Sequence, residues 1–238
     1  MSTLYQQILN SKIENKKLLA VLIDPDKIKL KTIAHVVANI DTSIVTHVFV
    51  GGSLVTNPII DALVIEIKKH TSLPVILFPG NPSQISIHAD GILFLNLVSG
   101  RNSDYLIEHQ VNAVPILEKT NLEIIPTGYL LIESGTKTAV ERVSKTKPMC
   151  KNNIDYVCQT AKAAEYMGNK LIYLEAGSGA QNPIDPQMIS KVAQKISIPL
   201  LVGGGIKSKS AIEDAFNAGA DLVVIGTAFE NNINFFNS

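Results

Sequence analysis

Glycines and a carboxylate collect at the ends of three short apolar runs in this sequence. Tyr173-Leu174-Glu175-Ala176-Gly177-Ser178-Gly179 closes one run. Gly203-Gly204-Gly205-Ile206 and Gly226-Thr227 close the next two. Glycine lets the backbone approach an oxyanion and offer its amides, and a helix that starts just beyond adds the positive end of its dipole. A single glycine there reads as a tight turn. Three in a row, with a Gly-Thr pair after the following run, read as a phosphate cradle. Gly177, Ser178 and Gly179 are placed to complete its shell. Glu175, just ahead of them, either pairs with a nearby cation or takes a proton from a substrate.

Asp24 closes another apolar run, in Asp24-Pro25-Asp26-Lys27, and Gly51-Gly52-Ser53 closes the next. A carboxylate and a hydroxyl suit Mg²⁺, which takes few protein oxygens and fills its shell with water and substrate phosphates. Asp24 equally suits a turn before proline, and Ser53 a helix cap. Lys137, Arg142, Lys145, Lys147 and Lys151 form a basic stretch that reads as a solvated face or as a seat for a second, multiply charged phosphate. The five histidines form no His-x-His pair, which argues against a zinc hydrolase. No lysine lies within a strand to form a Schiff base, and there is no Gly-x-Ser-x-Gly elbow.

The elements that must carry these groups are short and regularly spaced. Eight strand-length runs occur: Leu18–Ile23, His47–Val50, Val75–Phe78, Gly91–Leu95, Gly128–Ile132, Leu171–Leu174, Pro199–Val202 and Leu222–Ile225. Their almost continuous apolar character fits parallel strands covered on both faces. Helical stretches lie between them. Asp185 with Pro186 starts one that runs to about Lys195, a second spans Asp155 to Met167 with Gly168 as its stop, and a third runs from near Ser208 to Gly219. The Pro79–Asp90 interval is short and proline-rich, so an irregular segment is expected between the third and fourth strands. The pattern predicts a single α/β domain over residues 1–238, a (β/α)₈ TIM barrel whose active site lies beyond the C-terminal strand ends. A doubly wound sheet is the rival architecture.

Bulk composition narrows the function. Lys+Arg and Asp+Glu are equal at 21 each, so no basic surface for nucleic acid is expected. Cys150 and Cys158 read as reduced thiols of a cytoplasmic protein. Met1 to Lys17 lacks a signal pattern, and no apolar run is long enough for a membrane span.

Taken together, YLEAGSG (173–179), GGGI (203–206), GT (226–227), DPDK (24–27) and GGS (51–53) resemble geranylgeranylglyceryl phosphate synthases and their bacterial PcrB relatives. TAVERVSKTKP (138–148) resembles the second group of that family. The resemblance covers nearly the whole chain and implies a Mg²⁺-dependent prenyltransferase of phospholipid biosynthesis. Such an enzyme joins a prenyl diphosphate, geranylgeranyl by group, to the C3 hydroxyl of sn-glycerol 1-phosphate. It implies that Tyr173 to Gly179, Gly204, Gly205, Gly226 and Thr227 bind glycerol 1-phosphate. Asp24 and Ser53 would bind Mg²⁺, and Glu175 would take the hydroxyl proton. It also implies a homo-oligomer, dimer or hexamer, that delivers its product to a membrane. One position departs from the pattern: the first group carries a lysine where this chain has Leu22. Two rivals stand beside this reading. One is a sugar-phosphate isomerase or cyclase using Asp24 and Glu133 as acid and base; the other is a phosphate-ligand sensor without catalysis.

Overall fold

The computed structural model of the chain describes residues 3–55 and 59–236. Met1 and Ser2, at the head of the segment read for a leader, and the last two residues of the expected 1–238 domain lie outside them. The strands are β1 (Leu18–Ile23), β2 (His47–Gly52), β3 (Val75–Pro79), β4 (Gly91–Asn96), β5 (Glu123–Leu131), β6 (Leu171–Glu175), β7 (Leu200–Gly203) and β8 (Leu222–Ile225). Each pairs in parallel with its neighbours, and β8 returns to β1, so the sheet is a closed barrel. The expected architecture is therefore the observed one, and the doubly wound sheet is set aside.

Alternation along each strand divides the core in two. Leu18, Ala20, Phe49, Ile76, Leu93, Ile125, Tyr173, Leu201 and Val224 fill the barrel interior. Leu19, Val21, Val48, Val50, Leu77, Leu174 and Val223 face outward and pack against the helices. Both faces are buried, which is why the runs read as continuously apolar rather than alternating. The outer helices are α2 (Ile33–Asp41), α3 (Ile60–Lys68), α4 (His109–Leu117), α5 (Ala139–Ser144), α6 (Ile154–Tyr166), α7 (Pro186–Lys195), α8 (Lys209–Asn217) and the short α9 (Thr227–Asn231).

The helix that precedes β1, α1 (Leu4–Ile13), closes the barrel floor. Its Ile8 is fully buried with the interior side chains, and Leu4 and Tyr5 pack beside them. The carboxylate of Glu123 accepts from the Leu4 and Tyr5 amides, and the Thr3 hydroxyl accepts from Gln6 N. A carboxylate on the first turn satisfies orphan amides and favours the helix dipole.

Local signals match where a cap is explicit. Asp185 accepts from Gln187 N at 2.7 Å, and Ser208 accepts from Ala211 N at 3.1 Å. Gly168 ends α6 at a φ of +95°. Strand β5 differs, beginning at Glu123 rather than Gly128. Pro126 lies inside it and reads as a breaker, yet its carbonyl still accepts from Lys170 N at 2.8 Å. Between β3 and β4 the connection is irregular as expected, with one 3-10 turn at Pro82–Gln84 and no α-helix. That missing helix leaves a groove beside the site, lined by Ile85, Ile92 and Phe94, while Leu77 and Ile92 stay buried.

Candidate active site

The C-terminal strand ends open onto one cavity of about 900 Å³. Tyr173, Glu175, Gly177, Ser178, Gly179, Gly204, Gly205, Gly226 and Thr227 all line it, together with Asp24 and Ser53. Leu174 and Ala176 are set apart. Their side chains pack in the outer layer, and the Ala176 amide is spent on Gly203 O at 3.0 Å.

Glu175 sits at an inward position at the end of β6 and is only 6% exposed. Its Oε1 accepts from Gly177 N at 2.6 Å, and the Tyr173 hydroxyl donates to the same carboxylate. Burial pushes the carboxyl up to about 6, against the pull of those two donors. A carboxylate poised there can take a proton near neutral pH.

The cradle glycines are required by geometry. Gly204 and Gly205 have φ of +80° and +70°. A Cβ on Gly204 would lie 2.2 Å from Glu175 Oε1, and one on Gly205 would lie 2.5 Å from Asn182 O. Gly203 has the same problem one layer down, because its Cβ would meet the Tyr173 hydroxyl at 2.2 Å. The floor of the site therefore packs backbone directly on side-chain oxygen. Gly226 precedes the first turn of α9, whose leading amides have no partner within the helix.

Across the mouth, the Asp24 carboxylate lies beside Gly52, where a Cβ would approach Oδ2 to 3.4 Å. Among the described residues no cluster of three His, Cys, Asp or Glu side chains could hold a metal. One carboxylate with one hydroxyl fits a Mg²⁺ that keeps waters and substrate phosphates, and does not fit a fully protein-ligated transition metal. The site is held by a residue that motif reading missed. Gln84, almost wholly buried, accepts from Gly52 N at 3.3 Å and Gly80 N at 3.2 Å, and donates to Gly52 O at 3.0 Å.

Tyr129 was also missed, since nothing marks it beyond its inward parity on β5. It pairs with Tyr173 across the strands, their ring centroids 5.4 Å apart. Tyr129, Phe78, Gly52, Ser53, Val140 and Val143 line both the main cavity and an apolar groove that leaves it beneath the missing helix. The far walls of the groove include Ile85, Leu95, Leu97, Tyr105 and Ala113. Of the basic stretch, Arg142 lines the mouth. Glu133 is exposed, does not line the cavity, and accepts from Lys151 N at 3.2 Å, which leaves the isomerase reading without its second group.

Residues 10–237 match the PcrB family. A Flavobacterium johnsoniae protein described as geranylgeranylglyceryl phosphate synthase is 58% identical over 238 residues, covering 100% of this chain and 98% of its own. The protein of that description from Thermococcus gammatolerans is 38% identical over 226 residues, covering 94% and 89%. Among solved structures, (S)-3-O-geranylgeranylglyceryl phosphate synthase from Thermoplasma acidophilum, in complex with its substrate sn-glycerol-1-phosphate, superposes with a TM-score of 0.93. It is 33% identical and covers 100% of this chain and 95% of its own. A tryptophan synthase α-subunit from Pyrococcus furiosus, at 15% identity and a TM-score of 0.56, shares the fold alone.

Proposed function

The chain belongs to the PcrB family, and from this we infer that it transfers a prenyl chain from a prenyl diphosphate to the C3 hydroxyl of sn-glycerol 1-phosphate. The observation that carries this reading is the joining of three features in one cavity. A glycine cradle, a buried carboxylate and an apolar groove meet at the barrel mouth.

The phosphate of the acceptor rests on Gly204, Gly205, Gly226 and Thr227, with Gly177, Ser178 and Gly179 closing over it. Anchoring that end brings the C3 hydroxyl to Glu175. As the hydroxyl oxygen bonds to the first prenyl carbon, that carbon's bond to the diphosphate oxygen breaks. The hydroxyl proton passes to Glu175, and diphosphate leaves with the bonding pair. Fixing both substrates in line removes much of the entropic barrier. Tyr173 and the Gly177 amide hold the carboxylate in place for the transfer. Asp24 and Ser53 would hold Mg²⁺, which supplies positive charge to the departing diphosphate.

The prenyl tail runs into the groove past Phe78 and Tyr129, and the geranylgeranyl chain is the substrate we assign on the strength of the relatives' names. Cys150, exposed and unpaired in a disulfide, suits a reducing cytoplasm, where we place the reaction. Ile107, Val111 and Val114 leave an apolar stripe exposed, which suits a subunit contact in a homo-oligomer. The test is lipid extraction after incubation with sn-glycerol 1-phosphate, geranylgeranyl diphosphate and Mg²⁺, with sn-glycerol 3-phosphate and a chelator as separate arms. Ether lipid from the 1-phosphate alone, lost with the chelator, supports the reading; no lipid from any prenyl diphosphate rejects it.

A further inference from the structure

The mouth contains an ion-pair triad of Asp24, Lys27 and Glu230, in which Lys27 and Glu230 have no part in the reaction above. The turn after β1 folds back tightly, with Lys27 N donating to Asp24 O at 3.0 Å and Asp26 N donating to Asp24 Oδ1 at 3.0 Å. The fold-back returns the Lys27 ammonium to 3.3 Å from Asp24 Oδ2. From the other side α9 brings Glu230 Oε2 to 2.9 Å from the same nitrogen. All three side chains line the cavity. The other two cations there are turned to backbone carbonyls: Lys207 donates to Gln181 O at 3.2 Å, and Arg142 to Lys137 O at 2.8 Å. The inward position before Asp24 is the apolar Leu22, beneath Gly226.

Asp24 Oδ1 is occupied by the Asp26 amide, so Oδ2 is the oxygen most open to a divalent ion, and Lys27 stands on it. An ammonium and a divalent cation repel at that distance, so one displaces the other. We propose that Lys27 is the counter-ion of Asp24 in the unloaded site, and that Glu230 is its second anchor. When a divalent cation arrives with a diphosphate, Lys27 releases Asp24, stays on Glu230 and takes a diphosphate oxygen. The inference rests on the reading that Asp24 holds the cation that accompanies the prenyl diphosphate. Lys27 is thereby a substrate-binding residue and Glu230 a positioning residue. The exchange keeps the charge of the mouth nearly balanced in both states and discourages the metal from binding alone.

Mn²⁺, followed by electron paramagnetic resonance, is a probe for the ion in the full-length protein without prenyl substrate. Lys27→Met, which keeps the stem and removes the charge, is expected to bind Mn²⁺ about three- to tenfold more tightly than wild type. Glu230→Gln leaves Lys27 only Asp24 as partner and is expected to weaken Mn²⁺ by a similar factor. Calorimetry with Mn²⁺ and inorganic diphosphate should show Lys27→Met binding diphosphate about tenfold more weakly. Equal or weaker Mn²⁺ binding by Lys27→Met, or unchanged diphosphate binding, overturns the proposal. Mn²⁺ binding that is absent in Lys27→Met, or that is unaffected by Asp24→Asn in that background, overturns it together with the assignment of the ion to Asp24. Prenyl transfer by the wild-type protein decides separately whether the reaction itself stands.

Discussion

A Cβ on Gly204 would lie 2.2 Å from Oε1 of Glu175, so the glycine loop after β7 and the buried carboxylate are in direct contact. The positive φ at Gly204 and this contact act together: no other residue can hold the loop open while the carboxylate stays where Tyr173 and Gly177 keep it. Gly204→Ala is therefore expected to destabilise the fold by about 1–3 kcal/mol and to lower transfer at least about a hundredfold. Thermal unfolding and steady-state kinetics on one preparation check both.

The buried carboxyl sets a pH dependence. With Glu175 titrating at about 6, kcat/KM should fall as pH drops through 6 and level off above it. Rates measured between pH 5 and 8 give the apparent value, and a profile flat across 6 would remove Glu175 as the base.

The same shift has a stability counterpart of opposite sign. The folded carboxyl keeps its proton to about 6, against 4.5 for the ordinary group, so the folded state binds more protons between those values. Stability contributed by Glu175 is thus present below pH 4.5 and falls as pH rises to 6. Glu175→Gln removes the buried charge while keeping an oxygen for the Gly177 and Tyr173 donors. At pH 8 the variant should be more stable, by up to about 2 kcal/mol, in urea unfolding without ligands.

Much of this was legible in the sequence, because the barrel states itself in short-range terms. Strands buried on both faces must be apolar throughout, as in Leu18–Ile23 and Leu222–Ile225. Asp185 and Ser208 are caps that work within three residues. The tight glycine loop after β7 was legible because consecutive glycines are expensive unless the backbone needs them. What stayed hidden depends on distance along the chain. Glu123 holds the first turn of α1 from 118 residues away, and Gln84 reaches Gly52 across 32. Tyr129 acquires its place only when β5 pairs with β6. Pro126, which has no amide to donate, is held in β5 by the ladder around it, opposite Phe94 of β4.

Gln84 offers a test of how the edge proposed to bind the ion is held. Gln84→Ala leaves the Gly52 and Gly80 amides and the Gly52 carbonyl without that partner. Two or three unsatisfied backbone groups should cost about 2–4 kcal/mol in denaturant unfolding. If Gln84 also positions Gly52 and Ser53, the Mg²⁺ concentration for half-maximal activity should rise in step.

The groove predicts a chain-length effect. Ala113 lines it from α4, and a larger side chain there would fill space proposed for the tail. Ala113→Leu is expected to lower kcat/KM for geranylgeranyl diphosphate more than for farnesyl diphosphate, by about tenfold in the ratio. An unchanged ratio, with the melting temperature preserved, would place the tail elsewhere.

The central claim is that the cradle holds glycerol 1-phosphate while Glu175 removes its hydroxyl proton. The most direct measurement pairs calorimetric binding of sn-glycerol 1-phosphate with single-turnover prenyl transfer in wild type and Glu175→Gln. The variant is expected to bind the phosphate within a few-fold of wild type and to form ether lipid at least about a thousandfold more slowly. A variant that transfers at the wild-type rate would contradict it.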